Sequence, residues 1–151
     1  MPLYRNFEQA ELDVQYNARG TVADIAPILR EYAEQSARAR ATLPCVLDVS
    51  FGDHADETLD IFPAATPGAP VFFFIHGGYW RLLSKNDSSF MAPAMTAAGA
   101  TVVSINYSLA PAVTLDCIVE QTRRALAWVY RHISQHHGDP RRIHVCGSSA
   151  G

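Results

Sequence analysis

Five consecutive apolar residues, Val71-Phe72-Phe73-Phe74-Ile75, constrain this chain more than any other feature. The run is far too short to cross a bilayer. It has no polar alternate, so it does not suit a sheet with one wet face and reads instead as a strand covered on both sides. Such strands belong to parallel sheets, whose neighbours are joined by crossover helices packed on the two faces.

The segments after it supply that pattern. A helix is expected from about Asn86 to Ala98, ended by Gly99. Thr101 to Asn106 is the next strand. From Thr114 to His137, the residues Leu115, Ile118, Thr122, Leu126, Val129 and Ile133 form one apolar stripe, and Gly138 and Pro140 close the helix. Ile143 to Cys146 is a last short strand. Ahead of the apolar run, Cys45 to Phe51 and Thr58 to Phe62 read as a hairpin, and residues 64 to 70 as a loop. The first forty residues look helical, with Thr21 and Asp24 as a capping pair, although Pro27 places the first full turn later. The fold class is therefore α/β: a mostly parallel sheet with a leading antiparallel hairpin and helices on both faces. Residues 1–44 form a helical cap or packing segment, and residues 45–151 the first half of the core.

The chain closes on Gly147-Ser148-Ser149-Ala150-Gly151, a match to G-x-S-x-G directly after a strand. A nucleophilic serine on such a turn sits in a strained backbone with its Oγ exposed. Side chains two residues to either side would collide across the turn, so glycine fits there. Ser149 is the expected nucleophile, and the Ala150 N–H points to where negative charge develops. A phosphate-cradling loop would need G-x-G-x-x-G or a Gly-Lys-Ser/Thr ending, and neither occurs.

His76-Gly77-Gly78-Tyr79-Trp80 leaves the end of the apolar strand. Acyl transfer needs two or three N–H donors aimed at one oxygen, and adjacent glycines let backbone amides turn inward without a Cβ in the way. Gly78, Tyr79 and Ala150 are the expected donors, Gly77 shaping the turn as part of the same oxyanion hole. His76 reads as a structural histidine holding the loop, and Tyr79 and Trp80 as core aromatics or as walls of the substrate pocket.

These two motifs together resemble the kynurenine formamidase (arylformamidase) branch of the α/β-hydrolases, close to the hormone-sensitive-lipase-like esterases. Asn106-Tyr107-Ser108-Leu109-Ala110-Pro111 is similar to that family's connector after its fourth strand, and Gly138-Asp139-Pro140 through Ile143 to its approach to the elbow. The resemblance implies a small-molecule ester or an aryl formamide such as N-formylkynurenine as substrate, with no metal or organic cofactor. It also implies a triad ordered serine, acid, histidine. All six histidines precede Ser149. The expectation is thus a fragment, inactive by itself, of a longer hydrolase. The rival reading is a non-catalytic binding or scaffold protein on the same core.

Net charge is −3, which excludes a basic nucleic-acid footprint, and Arg123-Arg124 and Arg141-Arg142 sit beside Glu120 and Asp139 as solvated faces. The N-terminus lacks an apolar leader core, and three widely spaced cysteines, Cys45, Cys117 and Cys146, fit a reducing cytoplasm. His132 and His136 with Asp139 have metal-ligand spacing, but histidines at a helix end near the negative dipole are the plainer account. Cys146 is expected in the core, Asp87 as charge at a helix start, and Met91 and Met95 as packing.

Overall fold

A computed structural model describes residues 2–151, so that Met1 of the leading segment lies outside the described residues. The chain divides into a unit of residues 1–31 and a unit of residues 32–151. The first holds α1 (Gln9–Tyr16), a 3-10 turn (Ala18–Thr21) and the start of α2 (Ala26–Thr42). Thr21 does not begin α2. The chain bends between the two, and Asp24 instead accepts a hydrogen bond from the Ala26 N–H at 2.9 Å, so Pro27 falls in the first turn, where a missing N–H costs nothing.

The second unit is built on five strands, β1 (Val46–Ser50), β2 (Thr58–Phe62), β3 (Ala69–Ile75), β4 (Thr101–Ile105) and β5 (Gly138–Gly147), in the order β1-β2-β4-β3-β5. The hairpin pair and β2·β4 are antiparallel, whereas β4·β3 and β3·β5 are parallel. This is the mixed α/β sheet expected from the sequence, with β3 in its interior.

Period-two alternation splits the sheet residues between two cores. Leu59, Ile61, Val71, Phe73, Val103 and Ile105 face Ala125 and Val129 of α4 (Leu115–His132). Phe62, Phe72 and Val102 face Ala39 of α2 and Ala92 of α3 (Ala92–Ala97), with Met91 and Met95 packed alongside. Both faces of β3 are covered, which is why its sequence has no polar alternate.

Two helices are shorter than the sequence suggests. Residues 86–98 do not form one helix. Lys85–Asp87 is a 3-10 turn capped by Ser84, and α3 starts only at Ala92, with Pro93 in its first turn where proline is tolerated. Likewise α4 ends at His132. Residues 133–136 tighten into a 3-10 turn, His137 takes a left-handed φ of 65°, and β5 begins at Gly138. A Cβ on Gly138 would stand 2.6 Å from Ile133 Cγ1 and 2.7 Å from Val71 Cγ2, so glycine is required where β5 meets the helix end. Pro140 therefore lies inside the strand at the sheet's edge, the position that tolerates it. Among the described residues no helix is long and apolar enough to cross a membrane.

Candidate active site

β3 and β5 are parallel neighbours, and Ile75 is paired with Gly147. Both of the chemically suggestive segments therefore leave the sheet side by side at the carboxyl ends of adjacent strands, the usual place for a site in an open α/β sheet.

The elbow is tight. Ser149 has a φ of 56°, and the Gly151 N–H donates to the Ser148 carbonyl at 2.9 Å, closing the turn. A Cβ on Gly147 would come within 2.3 Å of the Gly151 carbonyl carbon, and one on Gly151 within 2.2 Å of the Ile75 carbonyl oxygen. No side chain fits at either position. Ser149 itself is exposed, and among the described residues its hydroxyl has no histidine partner.

The loop of residues 76–84 packs directly on this turn. A Cβ on Gly77 would lie 2.6 Å from the Ser148 carbonyl oxygen and 3.2 Å from Ser149 Cβ. Gly78 (φ 113°), Tyr79 (56°), Trp80 (60°) and Leu83 (67°) all have left-handed φ, and the N–H groups of Arg81 and Leu82 both donate to the Gly78 carbonyl at 3.0 Å. The chain is thereby wound so tightly that the backbone N–H groups of Gly77, Gly78 and Tyr79, like that of Ala150, donate to no acceptor among the described residues. Strain concentrated in a short segment with unspent donors is a feature of functional loops.

His76 is fully buried beneath the loop. Its ring stacks on Tyr107 at 4.1 Å, Nδ1 donates to the Gly77 carbonyl at 2.8 Å, and the Tyr107 hydroxyl donates to the His76 carbonyl at 2.7 Å. Nε2 faces the Asn106 side chain but makes no hydrogen bond of ordinary geometry. Burial is the main reason that the His76 pKa lies below the usual histidine value, while burial pushes the Tyr107 phenol up to about 12. Both groups are neutral near pH 7. Tyr79 is 71% exposed and is not a core aromatic, whereas Trp80 is half-buried and borders a cavity of about 210 Å³ shared with Ala150, Tyr107 and Ile118.

Nothing in the sequence patterning marks the anchor at the far end of the loop. Lys85 is 3% exposed, and its Nζ donates to Asp48 Oδ1 at 2.5 Å and to Asp60 Oδ1 at 2.8 Å. Asp60 is fully buried, and the same Oδ1 accepts the Asp48 N–H at 2.9 Å. Arg40 Nε stands 3.1 Å from Asp60 Oδ2, close enough for coulombic attraction but not aligned as a hydrogen bond.

Asp87 caps the Lys85 turn by accepting from the Ser84 N–H. His132 stacks on Trp128, and Asp139 is held by Arg141. Cys146 is half-buried at the edge strand rather than enclosed in the core.

A serine on a glycine-flanked turn beside a loop of unpaired amides places the chain in a class. It belongs to the α/β-hydrolase fold family, whose model matches residues 72–151. Among curated relatives it is 31% identical to a kynurenine formamidase from Danio rerio, over 98% of this chain and 52% of that protein. It is 34% identical to the esterase LipQ of Mycobacterium tuberculosis, over 81% of this chain and 28% of that protein. A crystal structure from a Silicibacter species superimposes with a TM-score of 0.82 at 26% identity, covering 93% of this chain and 52% of its own. The chain spans about half the length of the first curated relatives it matches.

Proposed function

We propose that the whole protein is a serine hydrolase that cleaves an aryl formamide, or failing that a short-chain carboxylic ester, through an acyl-enzyme. The observation that carries this reading is the contact of Gly77 with the Ser148-Ser149 turn, which sets unspent amides beside an exposed serine in a strained conformation. Ser149 Oγ attacks the substrate carbonyl and gives its proton to a histidine base. The N–H groups of Gly78, Tyr79 and Ala150 hold the resulting oxyanion, with Gly77 shaping the loop. Collapse expels the amine or alcohol, which takes that proton, and leaves the acyl group on Ser149. Water then attacks the acyl carbonyl, its proton passing to the same base, which returns it to Ser149 Oγ as the bond to the acyl group breaks and the acid is released. The histidine and its acidic partner are supplied from outside residues 1–151. Tyr79 and Trp80 wall the pocket for the small acyl group, Trp80 bordering the cavity that Ala150 also lines.

The formamidase similarity runs through nearly all of the chain, whereas that to the esterase covers less of it, which favours the formamide over the ester. The test compares N-formylkynurenine with p-nitrophenyl acetate and butyrate, using the full-length protein and its Ser149→Ala variant. Serine-dependent turnover with the formamide preferred is expected. Turnover that survives Ser149→Ala sinks the mechanism, and ester preference sinks the substrate assignment. The 151-residue chain alone is expected to be inactive, because loss of the histidine costs a triad around 10⁶ in turnover.

A further inference from the structure

We propose that Lys85 is a positioning residue for acyl transfer: through Asp60 and Asp48 it clamps the far end of the oxyanion loop to the sheet and so holds the Gly78 and Tyr79 amides on the reacting carbonyl. This rests on the reading of residues 76–84 as an oxyanion loop.

The loop needs a second anchor. Its first end is fixed by β3 and by the buried His76, but the next eight residues include four with left-handed φ. Such backbone relaxes unless its surroundings over-determine it. Downstream, the chain is bolted at Lys85. The Lys85 N–H reaches Asn106 Oδ1 at 3.4 Å, its carbonyl accepts from Ser89 Oγ at 3.3 Å, and the Ser89 N–H donates to Ser36 Oγ at 3.0 Å. The side chain then runs inward to two carboxylates on β1 and β2.

The acceptors are shaped for a cation. Asp48 has a φ of 56° and lies where the β1·β2 register shifts between Val46 and Val49. That bulge turns its carboxylate toward Lys85 and its N–H onto Asp60. Two carboxylates meet two cations, Lys85 and Arg40, so the cluster is neutral as a whole and charged if any one member is lost. A buried pair broken from one side leaves an uncompensated charge, which gives the clamp its stiffness. Such a cluster adds little as a fold stabiliser, since apolar residues pack as well or better. Its location at the end of a strained loop gives it a second use.

The test is made on the full-length protein with Lys85→Met, Asp48→Asn and Lys85→Arg. Competent sites are counted by complete reaction with a fluorophosphonate, and kcat is expressed per labelled site. A displacement of about 1 Å in a catalytic group costs ~10² in rate. Lys85→Met is therefore expected to lose about 10- to 100-fold in kcat per labelled site, alike for the formamide and the esters, with KM little changed. Asp48→Asn, at a side chain that is mostly exposed and tolerant, should show a smaller loss of the same kind, and Lys85→Arg should recover part of it. If Lys85→Met does not fold, Asp48→Asn alone decides by the same split. Unchanged kcat per labelled site in the folded variants overturns the inference, as does a loss seen only in the number of labelled sites. Activity insensitive to Ser149→Ala fails the underlying reading instead, so the two failures are distinguishable.

Discussion

Replacing Gly77 with alanine probes the contact on which the site depends. The new Cβ would stand 2.6 Å from the Ser148 carbonyl oxygen and 3.2 Å from Ser149 Cβ. Favourable heavy-atom contact begins near 3.5 Å, so loop and elbow would have to part by about 1 Å. Both neighbours are backbone or short side chain and have no rotamer with which to yield. Forced overpacking of this kind typically destabilises by about 1–3 kcal/mol, and a 1 Å displacement of catalytic groups costs ~10² in rate. Gly68→Ala is the control. Its φ is 75°, so it carries the left-handed strain of a non-glycine residue, about 1–2 kcal/mol, but a Cβ there meets nothing within 4 Å. The assay pairs thermal unfolding with the rate of fluorophosphonate labelling of Ser149 in the full-length protein. Gly77→Ala and Gly68→Ala should lose similar stability, but only the former should slow labelling, by roughly two orders of magnitude. Equal labelling rates for the two variants would refute the convergence of loop and elbow.

Other outcomes follow from the same geometry. Phe73→Ala opens a cavity between β3 and α4 and should cost about 3–5 kcal/mol in denaturant unfolding. Gly151→Ala drives a Cβ to 2.2 Å from the Ile75 carbonyl and should abolish labelling of Ser149. Because burial holds the His76 pKa below its ordinary value, the unfolded chain binds more protons than the folded one between that lowered pKa and about 6.5. Stability should therefore fall on acidification through that window, and the slope should shrink in His76→Asn if that variant folds. Burial pushes the Glu57 carboxyl up, but the His54 N–H and the Arg124 guanidinium outweigh this and hold its pKa below the usual range. Its contribution is present above that range and is lost as pH falls through the lowered value, so Arg124→Ala should shift the acid unfolding midpoint to higher pH.

Much of this was legible in the sequence because the informative residues act through backbone geometry that composition dictates. The unbroken Val71–Ile75 run stated that β3 is covered on both faces, and it packs between α4 on one side and α2 and α3 on the other. The glycines at 147 and 151 stated a turn with no room for side chains. Helix limits were less legible. The apolar stripe of α4 continues through Ile133, so periodicity could not reveal that the last turn tightens and that Gly138 opens a strand. Between Asn86 and Ala98 the difficulty was Pro93, which suits only a first turn and so sets α3 to begin at Ala92. The Lys85 cluster was invisible for another reason. Its members, Arg40, Asp48, Asp60 and Lys85, lie 8 to 45 residues apart and meet only through sheet pairing and a bulge at Asp48, which no local pattern encodes.

The most direct test of the central claim is a crystal structure of the full-length protein after reaction with a fluorophosphonate. The account predicts phosphorus bonded to Ser149 Oγ, with the phosphoryl oxygen within about 2.7–3.1 Å of the Gly78, Tyr79 and Ala150 nitrogens. A label on another residue, or a phosphoryl oxygen turned away from those amides toward solvent, would contradict it.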